Sequence, residues 1–266
     1  MAKKESYPSD LTDEQFEFIK QFLPKSNQFG RPSLCLRQVL NALLYVVVGG
    51  IAWRMLPKEF PCWKSVYHYF GKWRKSNDWQ RVYEALHELE RVRQGKAEQP
   101  SAGCLDSQSV KNVGGEQEAR GYDAGKQITG RKRHLLVDTL GLPIAVEVTA
   151  ASESDQAGAR KLFSAAKDKL KSIKKIWVDG TYRGAAWHTE VKERYGIKLE
   201  VKKNETGVKG FAAVAKRWVV ERTFGWFVQS RRLVREYEKL TESTEAMIHL
   251  TMIRMLVRRL APDFSD

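Results

Sequence analysis

The chain is poor in the residues that mark secreted, zinc-clipped or membrane-bound proteins. It has only three cysteines in 266 residues, Cys35, Cys62 and Cys104. They are odd in number and far apart, with no Cys/His pairing at zinc-ligand spacing. This argues against a disulfide framework and a zinc module, and reduced thiols in a cytoplasmic protein are the simplest reading. The most apolar run, Ala42 to Trp53, is too short to span a bilayer and contains Gly49 and Gly50. The first residues, Met1-Ala2-Lys3-Lys4-Glu5, carry no signal-peptide apolar core, so neither secretion nor membrane anchoring is expected. Internal repeats and low-complexity tracts are also missing. Acidic residues are in deficit, 32 Asp and Glu against 46 Lys and Arg, giving a net charge of +14 and a pI near 9.6. An apolar content of 42% argues against a disordered basic tail. What remains is a folded protein of one large or two modest domains. It should attract polyanions, with an affinity that falls steeply with salt.

The residues that are present divide the chain in two. Up to about residue 95 the pattern is helical. Thr12, Asp13 and Glu14 look like a capped start, followed by an apolar stripe of Phe16, Ile19, Phe22 and Leu23 that Pro24 stops. Gly30-Arg31-Pro32-Ser33 reads as a turn before a second helix, Leu34 to Val48, which Gly49-Gly50 ends. Further helices are expected over Trp63 to Lys75 and Trp79 to Arg93, separated by Asn77-Asp78. The third is basic and aromatic. Lys64, His68, Lys72 and Arg74 are expected to face outward in a helix-turn-helix-like unit, although ordinary helical packing around Trp63, Tyr67, Phe70 and Trp73 gives the same pattern.

Residues 96–101 read as a linker. Beyond it the texture becomes mixed α/β. A strand is expected over Ala102 to Asp106, a mobile Gly-rich loop over Asn112 to Gln127, and a hairpin of His134 to Thr139 and Pro143 to Thr149 about Gly141. Then follow a helix (Asp155 to Lys171), a strand (Ile173 to Asp179), a helix (Ala185 to Tyr195), a strand (Ile197 to Val201), and helices from Phe211 onward. The last helix, about Ser243 to Leu260, is expected over the sheet or between protomers. This order suits a ribonuclease-H-like layout over residues 102–266, a mixed sheet flanked by helices.

Three acids stand out. Asp106 and Asp179 each end an apolar run, where a strand would present a carboxylate at the sheet edge used by ligands of open α/β sheets. Glu221 lies among Trp218, Val219, Val220, Phe224 and Trp226, where an acid needs compensation from Arg217, one helical turn earlier, or from a cation. Carboxylates converging in this way suit hard cations such as Mg²⁺ and phosphodiester chemistry. Two rival acids have plainer explanations: Asp138 belongs to the hairpin, and Asp155 looks like a helix cap.

At these residues the chain resembles the DDE transposases of bacterial insertion sequences, in particular the insertion-sequence-5 family of the insertion-sequence-4-like group. The resemblance runs through Leu105-Asp106-Ser107-Gln108-Ser109-Val110-Lys111 and the stretch from Gly130-Arg131-Lys132-Arg133-His134 to Gly141. It continues in Val178-Asp179-Gly180, Tyr182-Arg183-Gly184 and Val220-Glu221-Arg222-Thr223-Phe224-Gly225-Trp226. Near the N-terminus Leu11-Thr12-Asp13-Glu14-Gln15, Gly30-Arg31-Pro32 and Gly49-Gly50-Ile51-Ala52-Trp53-Arg54-Met55-Leu56-Pro57 also match. The resemblance implies a ribonuclease-H-like catalytic domain behind a helical DNA-binding domain, with Asp106, Asp179 and Glu221 as a catalytic triad holding two Mg²⁺ ions, for which Mn²⁺ can substitute. It further implies movement of an element bounded by inverted repeats, double-stranded DNA as partner at element ends and target, a homodimer in the DNA complex, and a bacterial cytoplasmic, nucleoid-associated location. The family pattern around the glutamate includes a Tyr, an Arg and a Lys. Arg217 matches the Arg, but Val214 and Val228 stand at the other two places, where Arg231 and Arg232 are the nearest substitutes for the Lys.

Between Lys202 and Lys239 ten Lys and Arg face four Glu, so this stretch can hold a DNA backbone beside the acids. The candidate DNA contacts are Arg131, Lys132, Arg133, His134, Arg183, Lys216, Arg217, Arg222, Arg231 and Arg232, with Lys64, Lys72 and Arg74 in the helical part. For His134 a packed strand position is an equal alternative. Trp177, Trp187, Trp218 and Trp226 are candidates for stacking on an unpaired base, against core packing. Two other functions stay open: a metal-dependent nuclease without strand transfer, and a catalytically inactive DNA-binding protein derived from a transposase.

Overall fold

The computed structural model describes residues 7–25, 34–201 and 218–261. The Gly30 to Ser33 turn, Val214, Lys216 and Arg217 lie outside the described residues. The rest divides into two compact units. One holds the described residues up to Gln94, Gln229–Val234, and those from Glu242 onward. The other is Gly95–Val228 with Arg235–Thr241.

The first unit is helical. Helix α1 (Asp13–Lys20) starts at a capping box in which the Thr12 side chain accepts from the Gln15 N–H and the Gln15 side chain accepts from the Thr12 N–H. Helix α2 (Leu36–Gly49) ends at Gly50 in the left-handed region. Helices α3 (Trp63–Lys75) and α4 (Asp78–Arg93) are joined by Ser76-Asn77, with Asn77 left-handed. Trp79 closes that corner by donating its indole N–H to the Phe70 carbonyl. The short α8 (Arg231–Val234) and the long α9 (Thr241–Leu260) complete the set. Met247, Ile248, Leu250, Ile253 and Leu256 of α9 are buried, as are Leu40, Leu43, Val47 and Leu86. The last helix belongs almost wholly to the helical unit, which corrects the first half of its expected place, over the sheet or between protomers. Its apolar residues announce burial without naming the partner.

The second unit is a mixed sheet with helices. Strands β1 (Ala102–Lys111), β2 (Gly121–Asp123), β3 (Ile128–Asp138), β4 (Pro143–Ala150), β5 (Lys175–Val178) and β6 (Lys198–Val201) run in the order β2-β3-β1-β5-β6, and β4 also pairs with β3. The β1–β3, β2–β3 and β3–β4 ladders are antiparallel, whereas β1–β5 and β5–β6 are parallel. Helices α5 (Asp155–Ala165) and α6 (Ala185–Tyr195) share a core with Leu105, Leu136, Ile176 and Leu199. Helix α7 (Trp218–Val228) packs on β1 and β3, and its buried Val220, Phe224 and Phe227 lie outside that cluster.

Two strands are longer than expected. β1 continues past Asp106 to Lys111, because Ser107 and Ser109 point to partners that satisfy them, Asp155 and Asp123. β3 begins at Ile128 and takes in Arg131, Lys132 and Arg133. Part of the Gly-rich loop is strand β2. The β3–β4 turn is closed by Asp138, whose carboxylate accepts the N–H groups of Leu140 (2.8 Å) and Leu142 (2.9 Å), the hairpin role read from sequence. Gly141 occupies the left-handed region there (φ 80°).

Candidate active site

The topology brings two of the three expected acids together. β1 and β5 are parallel neighbours with Cys104 opposite Trp177. Two residues further on, Asp106 and Asp179 stand at matching positions where β5 stops and β1 runs on. Asp106 is therefore a mid-strand residue, not the end of its strand. Its Oδ1 accepts the N–H of Ser107 (2.7 Å). Asp179 caps a 3-10 turn, Gly180–Tyr182, accepting from Thr181 N (2.8 Å) and Thr181 Oγ1 (2.5 Å) through the same Oδ1. Both carboxylates are half-buried.

Glu221 lies in the first turn of α7 and is exposed. Two neighbours anchor that helix to the β3–β4 turn: Arg222 Nη2 donates to Leu140 O (2.7 Å) and Thr223 Oγ1 to Gly141 O (2.6 Å). A Cβ on Gly141 would meet both side chains at 3.1 Å. The Arg222 guanidinium also sits over the rings of Trp218 (4.7 Å) and Trp226 (4.9 Å). Among the described residues no three His, Cys, Asp or Glu side chains are grouped closely enough to hold a metal ion. The register thus sets Asp106 level with Asp179, just past the end of β5, while Glu221 stands on α7. The pair offers only oxygen donors, which fit a hard divalent cation and not a soft one.

Beside this pair lies a buried polar network that the sequence did not announce. Lys132 Nζ reaches Asp155 (3.2 Å), Asp123 (3.6 Å) and the Glu153 carbonyl (2.9 Å), and Ser107 Oγ donates to Asp155 Oδ1 (2.7 Å). Burial pushes the Asp155 carboxyl up, but Ser107 and Lys132 outweigh it and hold Asp155 below the usual carboxylate range. Asp155 is the first residue of α5. The cap is Ser154, which accepts the Ala157 N–H. Tyr182 is fully buried, and burial, then the charges of Asp155, Asp106 and Asp179, raise its phenol well above its ordinary pKa.

Several expected DNA contacts are interior groups, which corrects the reading of Arg131, Lys132 and Arg133 as DNA-facing; for His134 the structure shows the alternative, a packed strand position. Arg131 is 0% exposed and Arg133 1%, and both bond to Glu236, at 3.4 and 3.3 Å. Lys132 is committed to the acids above. His134 is 0% exposed, with Nε2 3.0 Å from Thr149 Oγ1, and its ring lies so close to α5 that a Cβ on Gly158 would be 2.0 Å away. Arg74 donates to Ser243 Oγ within the helical unit instead of facing out, and Arg232, 6% exposed, donates to the Ile51 carbonyl (2.8 Å). Lys64, Lys72, Arg183 and Arg231 are exposed, and Arg222 is half-buried. The Arg183 guanidinium lies over Gly180, beside Asp179. Of the four tryptophans, Trp177 and Trp187 are core residues, whereas Trp218 is 42% exposed.

The burial of His134 has a measurable consequence. Burial chiefly, against the nearby Asp155 charge and together with Lys132, lowers its pKa from 6.5 to about 4. The folded-state value lies below the unfolded one, so the unfolded chain takes up the proton first as pH falls. Stability is intact above about 6.5 and is lost progressively down to about 4, by roughly 3 kcal/mol at most. Melting curves across this window should fall less steeply for His134→Gln than for the wild type. Parallel curves would mean that His134 is solvated in the folded state.

The mixed sheet flanked by helices is of the ribonuclease-H-like class that a transposase DDE domain implies. Residues 97–256 match the family described as "Transposase DDE domain", and the chain belongs to it: it is a DDE-type transposase, an enzyme acting on DNA. Residues 11–83 match a second family, described as "Putative transposase of IS4/5 family". An "Insertion element IS402 uncharacterized 16.2 kDa protein" of Burkholderia cepacia is 32% identical over 117 residues, covering 41% of this chain and 77% of that protein. Enzymes with this domain generally use divalent metal ions. No helix among the described residues is long and apolar enough to cross a membrane.

Proposed function

We propose that this transposase binds the terminal inverted repeats of an insertion sequence, cleaves at the element ends, and joins the freed 3′-hydroxyls to target DNA. The observation that carries this reading is the register of the parallel strands β1 and β5, which sets Asp106 level with Asp179 just past the end of β5, in a chain of the DDE family. Asp106, Asp179 and Glu221 are the catalytic triad of this reading, the residues that would hold the divalent cations. Bound there, two Mg²⁺ ions, or Mn²⁺ in their place, supply Lewis-acid activation of the attacking oxygen and charge relief for the departing one. Glu221 joins the pair by a movement of α7 or of its own side chain when DNA and cation bind. Arg183, exposed over Gly180, takes a backbone phosphate at this edge.

The helical unit supplies DNA binding in a helix-turn-helix-like manner, through the outer face of α3. Lys64, His68 and Lys72 are exposed on one side of that helix, whereas Val66, Phe70 and Trp73 are buried on the other. Two copies of the chain act on two ends in the DNA complex, on bacterial nucleoid DNA in the cytoplasm.

The test is incubation of the full chain with labelled duplexes bearing the element's terminal repeat, Mg²⁺ and a supercoiled plasmid, beside Asp106→Asn. Specific cleavage and joined product, both absent in the variant, are expected. Cleavage without joining would make the protein a nuclease, and cleavage retained in Asp106→Asn would sink the triad. Specific binding with neither product would favour the DNA-binding derivative.

A further inference from the structure

The two residues that open α5 bond in different directions. Asp155 accepts from Ser107 Oγ (2.7 Å) on β1. Ser107 follows Asp106, and its N–H donates to Asp106 Oδ1 (2.7 Å). Gln156 bonds instead to the turn after β5: its Nε2 donates to Thr181 O (3.1 Å) and Arg183 O (2.7 Å). Both acceptors are carbonyls, so the amide must present its N–H₂ group to them. That turn begins at Asp179, whose Oδ1 accepts from Thr181 N and Thr181 Oγ1. A continuous chain of bonds thus joins the two acids. It runs from Asp106 to Ser107, across to Asp155, along the main chain to Gln156, and through Thr181 to Asp179. Lys132 Nζ of β3 holds Asp155 (3.2 Å), so the middle of the chain is anchored to the sheet.

We propose that Gln156 is a positioning residue for the divalent-cation site: its amide holds the turn that carries Asp179 in place relative to β1, and so sets the separation of Asp179 from Asp106. The β1–β5 ladder ends at Cys104 and Trp177, before either acid, so strand pairing does not fix that separation. Like charges at the two places repel each other when no cation lies between them. A bond from outside the turn opposes that repulsion. Gln156 is neutral and bonds main-chain carbonyls, so it neither competes with the cation nor uses up a carboxylate oxygen. The same amide fixes the main chain of Arg183, the residue assigned to a backbone phosphate. This inference rests on the reading of Asp106 and Asp179 as the cation-holding pair.

Gln156→Met keeps the length of the side chain and removes both donors, at a half-buried position that tolerates the change. Mn²⁺ is added to the full chain and the free ion followed by electron paramagnetic resonance, with thermal melts on the same samples. Gln156→Met should need about tenfold more Mn²⁺ for half-saturation, the usual loss when a group behind a metal ligand is removed. Terminal-repeat cleavage should need the same excess. Arg160→Met is the control: it breaks the ion pair of α5 with Glu190 of α6 (2.9 Å) and loosens the same helix without touching the turn. Its half-saturation should stay at the wild-type value. Wild-type half-saturation in Gln156→Met, whatever its melting point, would overturn the inference. So would an equal loss in Arg160→Met, since general loosening of α5 would then be the cause. If Asp179→Asn binds Mn²⁺ and cleaves normally, the reading of the pair fails instead.

Discussion

Glu221→Gln should abolish strand cleavage, by roughly 10³-fold or more, while melting and terminal-repeat binding stay at wild-type values. The side chain is exposed in the first turn of α7, so its replacement by the isosteric amide removes no packing, and the expected change in stability lies within about 0.5 kcal/mol. What it removes is the third of the carboxylates proposed to hold the cation. The neighbouring Arg222 gives the contrasting result. Its bond to Leu140 O and its place between Trp218 and Trp226 tie α7 to the β3–β4 turn. Arg222→Met should therefore lower the melting point and cleavage together, because a loosened α7 carries Glu221 with it. A cleavage assay with single-turnover kinetics, paired with melts of both variants, separates the two roles. Full cleavage by Glu221→Gln would remove it from the triad and turn attention to Asp155, the other acid beside Asp106.

The parts of this arrangement that could be read in advance were those fixed by local pattern. The apolar runs before Asp106 and Asp179 mark strands that lead into the site, and Gly141 marks the turn, because a left-handed residue between two β-like runs has few alternatives. Helix α3 begins and ends where its composition changes. What local pattern could not reveal was the fate of Arg131, Lys132 and Arg133. Three consecutive cations look like a surface that meets phosphate. Here alternation along β3 sends Lys132 to the α5 side, to Asp155, and its two neighbours to Glu236, more than 100 residues later in the chain. The same non-locality hid the second half of β1: the expected strand stopped at Asp106, and Ser107 and Ser109 extend it because Asp155 and Asp123 receive them. The opposite error attaches to α9, whose apolar content predicts burial but carries no label for the unit that buries it.

The network around Glu236 carries the largest expected effect on stability. Glu236 is 1% exposed and takes both buried arginines, Arg131 through Oε1 and Arg133 through Oε2. Arg131 spends its remaining donors on main-chain carbonyls: Nη2 to Glu118 O and Lys239 O (2.7 Å each), and Nη1 to Glu238 O (3.0 Å). The segment that carries Glu236 is in turn stitched to the end of β1, with Glu236 N donating to Lys111 O and Val113 N to Glu236 O. Burial pulls the pKa of Arg133 down and Glu236 opposes it, so the carboxylate is what keeps these cations tolerable in the interior. Glu236→Gln keeps the shape but puts an amide N–H₂ against a guanidinium and leaves two positive charges with no counter-charge from that side chain. The expected cost is about 3–5 kcal/mol, a large part of the stability of an ordinary domain. Adding Arg133→Met to Glu236→Gln should recover part of the loss, because one uncompensated charge is then gone and an apolar chain of similar length fills its path. Urea unfolding of the two variants and of Arg133→Met alone closes the cycle. A cost below about 1 kcal/mol for Glu236→Gln would mean that water reaches the guanidinium groups in the folded protein, and that the turn from α8 to α9 is held by its main-chain bonds to Arg131 and β1 alone.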